Sequence, residues 1–106
     1  MTRKAFIFLQ KTFCGVLEEN DTRTVYTFTY APSYAGAPLS LTLPLQKTAY
    51  SWPTFPPFFD GLLPEGMQLE ALLRTHKIDR RDYLTQLITV GEDLVGAVTV
   101  KTGIAP

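Results

Sequence analysis

The chain has 106 residues, with 10 Lys and Arg against 10 Asp and Glu, and a single His, Cys and Trp. This suits one domain, residues 1–106, with no net charge to draw it to nucleic acid or to an anionic membrane, no second cysteine for a disulfide, and too few Cys and His for a zinc site. No apolar stretch approaches the roughly 18 residues of a membrane span, and the run after Arg3-Lys4 is too short for a signal peptide, so the default location is the cytoplasm.

The first third reads as three strands. Ala5-Phe6-Ile7-Phe8-Leu9 is continuously apolar, as in a strand covered on both faces. After Gln10-Lys11, Thr12-Phe13-Cys14-Gly15-Val16-Leu17 resumes the pattern, and Gly15 marks a bulge or a close backbone approach. Glu18-Glu19-Asn20-Asp21 is a turn cluster. From Arg23 to Tyr30 the residues alternate, with Thr24, Tyr26, Phe28 and Tyr30 on one face. Short polar connections predict an antiparallel meander.

Leu39-Ser40-Leu41-Thr42-Leu43 alternates again and predicts a short fourth strand, stopped by Pro44. Residues 46–57 hold Pro53, Pro56 and Pro57 among aromatics, and the missing amides predict a surface loop rather than a paired strand. Phe58-Phe59-Asp60-Gly61 fits one short turn. A helix follows with Pro64 at its first position, Glu65 in its first turn, a Leu69, Leu72, Leu73 stripe, Met67 near the stripe's edge, and His76 and Lys77 near its end. Asp79 is the expected N-cap of a second helix with stripe Tyr83, Leu84, Leu87 and Ile88, and Gly91 is its stop. Residues 94–100 predict a last strand interrupted by Gly96. The fold class is α+β: a mainly antiparallel sheet of about five strands, in the order β-β-β-β-α-α-β, with two helices on one face.

Catalytic candidates are sparse. Any nucleophile–histidine pair would have to use His76, which reads as a cation at a helix C-terminus beside Arg74 and Lys77. Cys14 lacks electropositive neighbours and reads as a structural thiol. In Gly91-Glu92-Asp93-Leu94-Val95-Gly96 the two carboxylates would repel phosphate, so the segment reads as a turn. Arg80-Arg81 with Lys77 reads as a solvated helix start. Asp60 and Glu65 could pair as acid and base, but the spacing also suits turn closure and capping. No catalytic, metal-binding or cofactor-binding residue is therefore assigned.

The segment Tyr50-Ser51-Trp52-Pro53-Thr54-Phe55-Pro56-Pro57-Phe58-Phe59 is least explained by folding alone. Aromatic anchors on a proline-stiffened segment bind partners at low entropic cost. Phe58 and Phe59 read as turning back into the core, while Trp52 and Phe55 are balanced between core lid and interface.

Here the sequence resembles a known family. Pro38-Leu39-Ser40-Leu41-Thr42-Leu43-Pro44-Leu45, Pro56-Pro57-Phe58-Phe59-Asp60-Gly61-Leu62-Leu63-Pro64-Glu65-Gly66 and Gly91-Glu92-Asp93-Leu94-Val95-Gly96-Ala97-Val98, with Tyr26-Thr27-Phe28-Thr29-Tyr30, are similar to the N-terminal subdomain of HipA-like serine/threonine kinases. The motifs cover most of the chain in the family's order, and Phe-Phe-Asp-Gly-Leu-Leu-Pro-Glu-Gly is the most specific. These 106 residues leave no room for an ATP-binding loop, a catalytic Asp or a metal-binding Asp, so the resemblance implies a fold and a partner surface without kinase activity. It further resembles the stand-alone HipS-like antitoxins of tripartite HipBST toxin–antitoxin systems. That implies a HipT-like kinase toxin as partner, bound where the fused subdomain would sit, in a complex with a HipB-like helix-turn-helix protein that supplies any DNA contact. The residues implied at the contact are Trp52 first, supported by Tyr50, Ser51, Pro53, Phe55, Phe58 and Phe59. Two other readings stand beside it: a structural or activating subunit that completes the kinase fold, and a small enzyme using Asp60, Glu65 or His76.

Overall fold

The computed structural model describes residues 3–91 and 98–102. Its strands are β1 (Arg3–Leu9), β2 (Thr12–Glu19), β3 (Tyr26–Tyr30), β4 (Tyr50–Trp52) and β5 (Val98–Lys101). Its helices are α1 (Pro57–Asp60), α2 (Gly66–His76) and α3 (Tyr83–Val90). All neighbouring strands are antiparallel, in the sheet order β4-β3-β2-β1-β5, so the α+β expectation holds.

The first hairpin turns on two residues, Gln10 and Lys11, with φ of 50° and 69°. Positive φ at both positions is the type I′ geometry whose twist matches that of the flanking strands. One residue later the register slips: Ile7 faces Gly15 but Phe8 faces Phe13, leaving Cys14 as the bulged residue. Gly15 is the close approach anticipated from the sequence. A Cβ there would lie 2.4 Å from the Thr29 carbonyl oxygen and 2.8 Å from the Phe28 ring. The strand expected from Arg23 starts instead at Tyr26. Arg23 is left-handed (φ 59°), and the Asn20 side-chain oxygen accepts from the amides of Thr24 and Val25, at 2.8 and 3.0 Å. Those donors are thereby withdrawn from the ladder.

Alternation along the strands builds one continuous core face. Ala5, Ile7, Leu17, Tyr26, Phe28, Tyr30, Val98 and Val100 pack there with Leu84 and Leu87 of α3 and with Phe59 of α1. Helix α2 is peripheral, since Leu73 alone of its stripe is buried while Leu69 and Leu72 are half-buried.

The α3 cap is a correction. Asp82, not Asp79, takes the N-cap position and accepts from the Thr85 amide at 3.3 Å, while Asp79 accepts from the Arg81 amide in the preceding turn. Long-range chemistry makes the choice. Arg3 of β1 donates to Asp82 at 2.7 Å, to Thr85 at 2.9 Å and to Glu19 of β2 at 2.8 Å, so one guanidinium joins two strands to the helix start. Glu19 is 1% exposed. Burial alone would raise the Asp82 carboxyl, but hydrogen bonds from Arg3 and Thr85 outweigh it and hold it below the usual carboxylate range.

Gly91 stops α3 as the sequence predicts, directly after Val90, though without a left-handed cap. Its conformation is right-handed, and its role is contact: a Cβ would lie 2.2 Å from the Val100 carbonyl oxygen. The Val100 amide donates to the Gly91 carbonyl at 3.0 Å, which seats β5 against the end of α3. Residues 94–97 of the expected last strand and the Glu92-Asp93 turn lie outside the described residues.

Two outcomes follow. Gly15→Ala should lower stability by about 1–3 kcal/mol in chemical denaturation, because backbone as well as a ring must move. The folded pKa of Asp82 lies below the unfolded value of about 3.9. Its contribution is therefore complete above that value and lost as pH falls through the folded pKa. Denaturation midpoints measured below about pH 4 should drop in the wild type, and Arg3→Met should remove part of that drop.

Candidate protein-docking surface

The expectation of a loop across residues 46–57 is corrected by β4. Tyr50–Trp52 pairs with β3, with Trp52 opposite Tyr26, Ser51 opposite Thr27 and Tyr50 opposite Phe28. Pro53 falls one residue after the pairing ends, so its missing amide costs no ladder bond. Because side chains alternate, Tyr50 and Trp52 lie on the core face at the sheet margin, while Ser51 lies on the other face and is exposed. The Tyr50 and Trp52 rings stack at 6.0 Å with an interplanar angle of 19°. Trp52 packs against the core cluster on one side and is half-buried.

After β4 the chain turns inwards. Phe55 is 8% exposed, edge-on to Tyr26 at 5.3 Å and stacked on Tyr83 at 5.5 Å. Pro56 occupies the N-cap of α1 and Pro57 its first turn, where the absent N–H is harmless. Phe59 is 0% exposed and packs on Phe28 at 5.7 Å. Phe55 and Phe59, both implied as contact residues, are therefore core anchors that fix the segment's path. Tyr50, Ser51, Trp52, Pro53 and the half-buried Phe58 are the ones with surface to offer.

The fourth strand expected over residues 39–43 is instead a turn. The Leu43 amide donates to the Ser40 carbonyl at 3.0 Å, and Leu43 is buried at 2% while Leu41 points fully outwards at 98%. The same leucine alternation that suggests a strand here serves one inward and one outward residue of a turn, and the flanking Pro38 and Pro44 are the signal that separates the two.

The catalytic candidates do not assemble. Glu65 sits at the N-cap of α2 without a side-chain cap bond, and His76 is the last of the helix's 11 residues, so the two lie about 16 Å apart along its axis. Asp60 and Glu65 are both exposed. Cys14 is buried, and burial pushes its thiol up to about 11, far from a reactive thiolate. Arg80 is paired with Glu70 at 2.5 Å on the surface. Among the described residues, no group of three or more His, Cys, Asp or Glu side chains is placed to hold a metal ion. No helix among them is long and apolar enough to cross a membrane.

The HipA N-terminal domain family model matches residues 5–101. The chain belongs to that family. A solved structure titled "N-terminal domain of HipA toxin" superposes with a TM-score of 0.76 at 30% identity, over 98% of this chain and 95% of that one. An uncharacterized protein of Haemophilus influenzae is 33% identical over 101 residues, 95% of this chain and 93% of its own length.

The burial contrast inside one segment is directly measurable. Phe55→Ala should cost about 3 kcal/mol or more in chemical denaturation, the range for a deleted core aromatic. Trp52→Ala should cost about 1–2 kcal/mol. Trp52 fluorescence in the free chain should be quenched by acrylamide at low concentration, and a fully shielded indole would contradict the placement.

Proposed function

We propose that this HipA N-terminal domain binds in trans to a HipA-like serine/threonine kinase that lacks the segment, docks where the fused subdomain would sit, and inhibits it as an antitoxin. The observation that carries this reading is Trp52. It is stacked on Tyr50, held at the sheet margin by the pairing of β4 with β3, and half-buried, so that part of the residue stays exposed. A lone tryptophan stacked on a neighbouring ring and carried by a paired strand is the kind of side chain that dominates binding energy at interfaces. Ser51 and Pro53 flank it in sequence and are exposed, Tyr50 and Phe58 are half-buried, and Phe55 and Phe59 anchor the segment in the core.

The mechanism is steric and needs no chemistry from this chain. The aromatic segment enters the kinase near its nucleotide site and holds an inactive arrangement. The complex acts in the cytoplasm and includes a HipB-like helix-turn-helix protein, which makes the operator contact. The zero formal net charge of this chain supports leaving DNA to that third component. The H. influenzae relative, nearly all of it covered by this domain, supports a domain that works as a separate chain.

Co-expression with the kinase tests the direction of the effect. An antitoxin rescues growth, and heightened toxicity would instead assign the chain as an activating subunit. In purified components, Trp52→Ala should weaken kinase binding by about 30-fold or more, the equivalent of about 2 kcal/mol for a hot-spot residue. Full inhibition by Trp52→Ala at wild-type affinity would remove Trp52 from the mechanism.

A further inference from the structure

Leu41 is 98% exposed, more than any other large apolar side chain among the described residues. A solitary exposed leucine is ordinary on a protein surface. This one is unusual in how firmly its turn is held. The Tyr30 hydroxyl, on a side chain 5% exposed at the end of β3, accepts from the Leu39 amide at 3.0 Å and donates to the Leu43 carbonyl, so one buried phenol bridges both flanks of the tip. Ser40 Oγ accepts from the Thr42 amide at 3.2 Å and lies 3.0 Å from Thr42 Oγ1. Leu43 is sunk into the core. Beyond the tip, the Tyr50 hydroxyl donates to the Pro44 carbonyl at 2.6 Å.

That last bond links the turn to Trp52. The Tyr50 ring stacks on the indole while its hydroxyl holds Pro44, so a single tyrosine spans from one apolar projection to the base of the other. A leucine presented on an immobilised turn loses little conformational freedom when it enters a pocket. We infer that Leu41 is a second anchor of the same docking surface, inserting into an apolar pocket on the kinase that Trp52 engages. This inference rests on the reading of Trp52 as a kinase contact. A second copy of this chain is the poorer occupant, since one leucine side chain falls far short of the roughly 800 Å² per partner that a stable dimer buries. As an extension of a surface already anchored by an indole, the same side chain is well placed.

The test is calorimetric titration of the kinase lacking its N-terminal segment with three full-length chains: wild type, Leu41→Ser and Leu41→Met. Leu41→Ser is expected to weaken binding tenfold or more with an unchanged melting temperature, because Leu41 makes no buried contact, and Leu41→Met should restore most of the affinity. Binding of Leu41→Ser within twofold of wild type overturns the inference. So does sedimentation showing wild-type dimers that Leu41→Ser abolishes while kinase binding stays intact. Failure of the wild-type chain to bind the kinase overturns the Trp52 reading together with this one. Wild-type binding with an indifferent Leu41→Ser overturns this one alone.

Discussion

Pairing of β4 with β3 sets Trp52 across from Tyr26 and Tyr50 across from Phe28, and the placement of the whole aromatic segment follows from that register. A shift by one residue would move both rings to the opposite face and bring Ser51 to the core side. With the register as it is, the chain leaves β4 at Pro53 and drives Phe55 against Tyr26 and Tyr83. It then enters α1 through Pro56 and Pro57 and closes with Phe59 on Phe28. The prolines restrict the path and the buried phenylalanines tie it down, so the indole between them is fixed without being engulfed.

The remainder of the molecule supplies a rigid platform. The Arg3 guanidinium gathers Glu19, Asp82 and Thr85, coupling β1 and β2 to the start of α3, while Gly91 lets β5 pass in contact with its end. Glu19 is nearly inaccessible, and a buried carboxylate of this kind is tolerable only with a close cation. Both ends of α3 are therefore bound to the sheet, whereas α2 contributes a single buried leucine.

Much of this was legible in the sequence, for reasons that also explain the misses. Strand β3 announces itself by period-two alternation of aromatic and β-branched residues, and β1 and β2 by their largely apolar runs. The positions of α2 and α3 follow from leucine spacing. The fourth strand lies elsewhere than its sequence pattern suggests, because local pattern and long-range pairing disagree. Residues 39–43 alternate like a strand, but a tyrosine hydroxyl from β3 satisfies the Leu39 amide and the Leu43 carbonyl, closing a turn. Residues 50–52 look barred by proline, yet Pro53 lies just past the last paired residue. The Asp79-for-Asp82 error is of the same kind, since both aspartates suit a cap and only Arg3, 79 residues away from Asp82, distinguishes them. At the candidate site, residue types pointed to Trp52 and its neighbours, but which phenylalanines are surface and which are anchors required the packing. Leu41 had no sequence signal beyond its flanking prolines.

As proposed, this chain substitutes for a subdomain that HipA-like kinases otherwise carry in the same polypeptide. The most direct test of this is a binding measurement against two forms of one kinase, the first with its own N-terminal segment and the second without it. The account predicts tight, saturable binding to the form lacking the segment and none to the intact form, whose docking site is already filled. Equal binding to both forms would contradict it, because the chain would then be recognising some other surface.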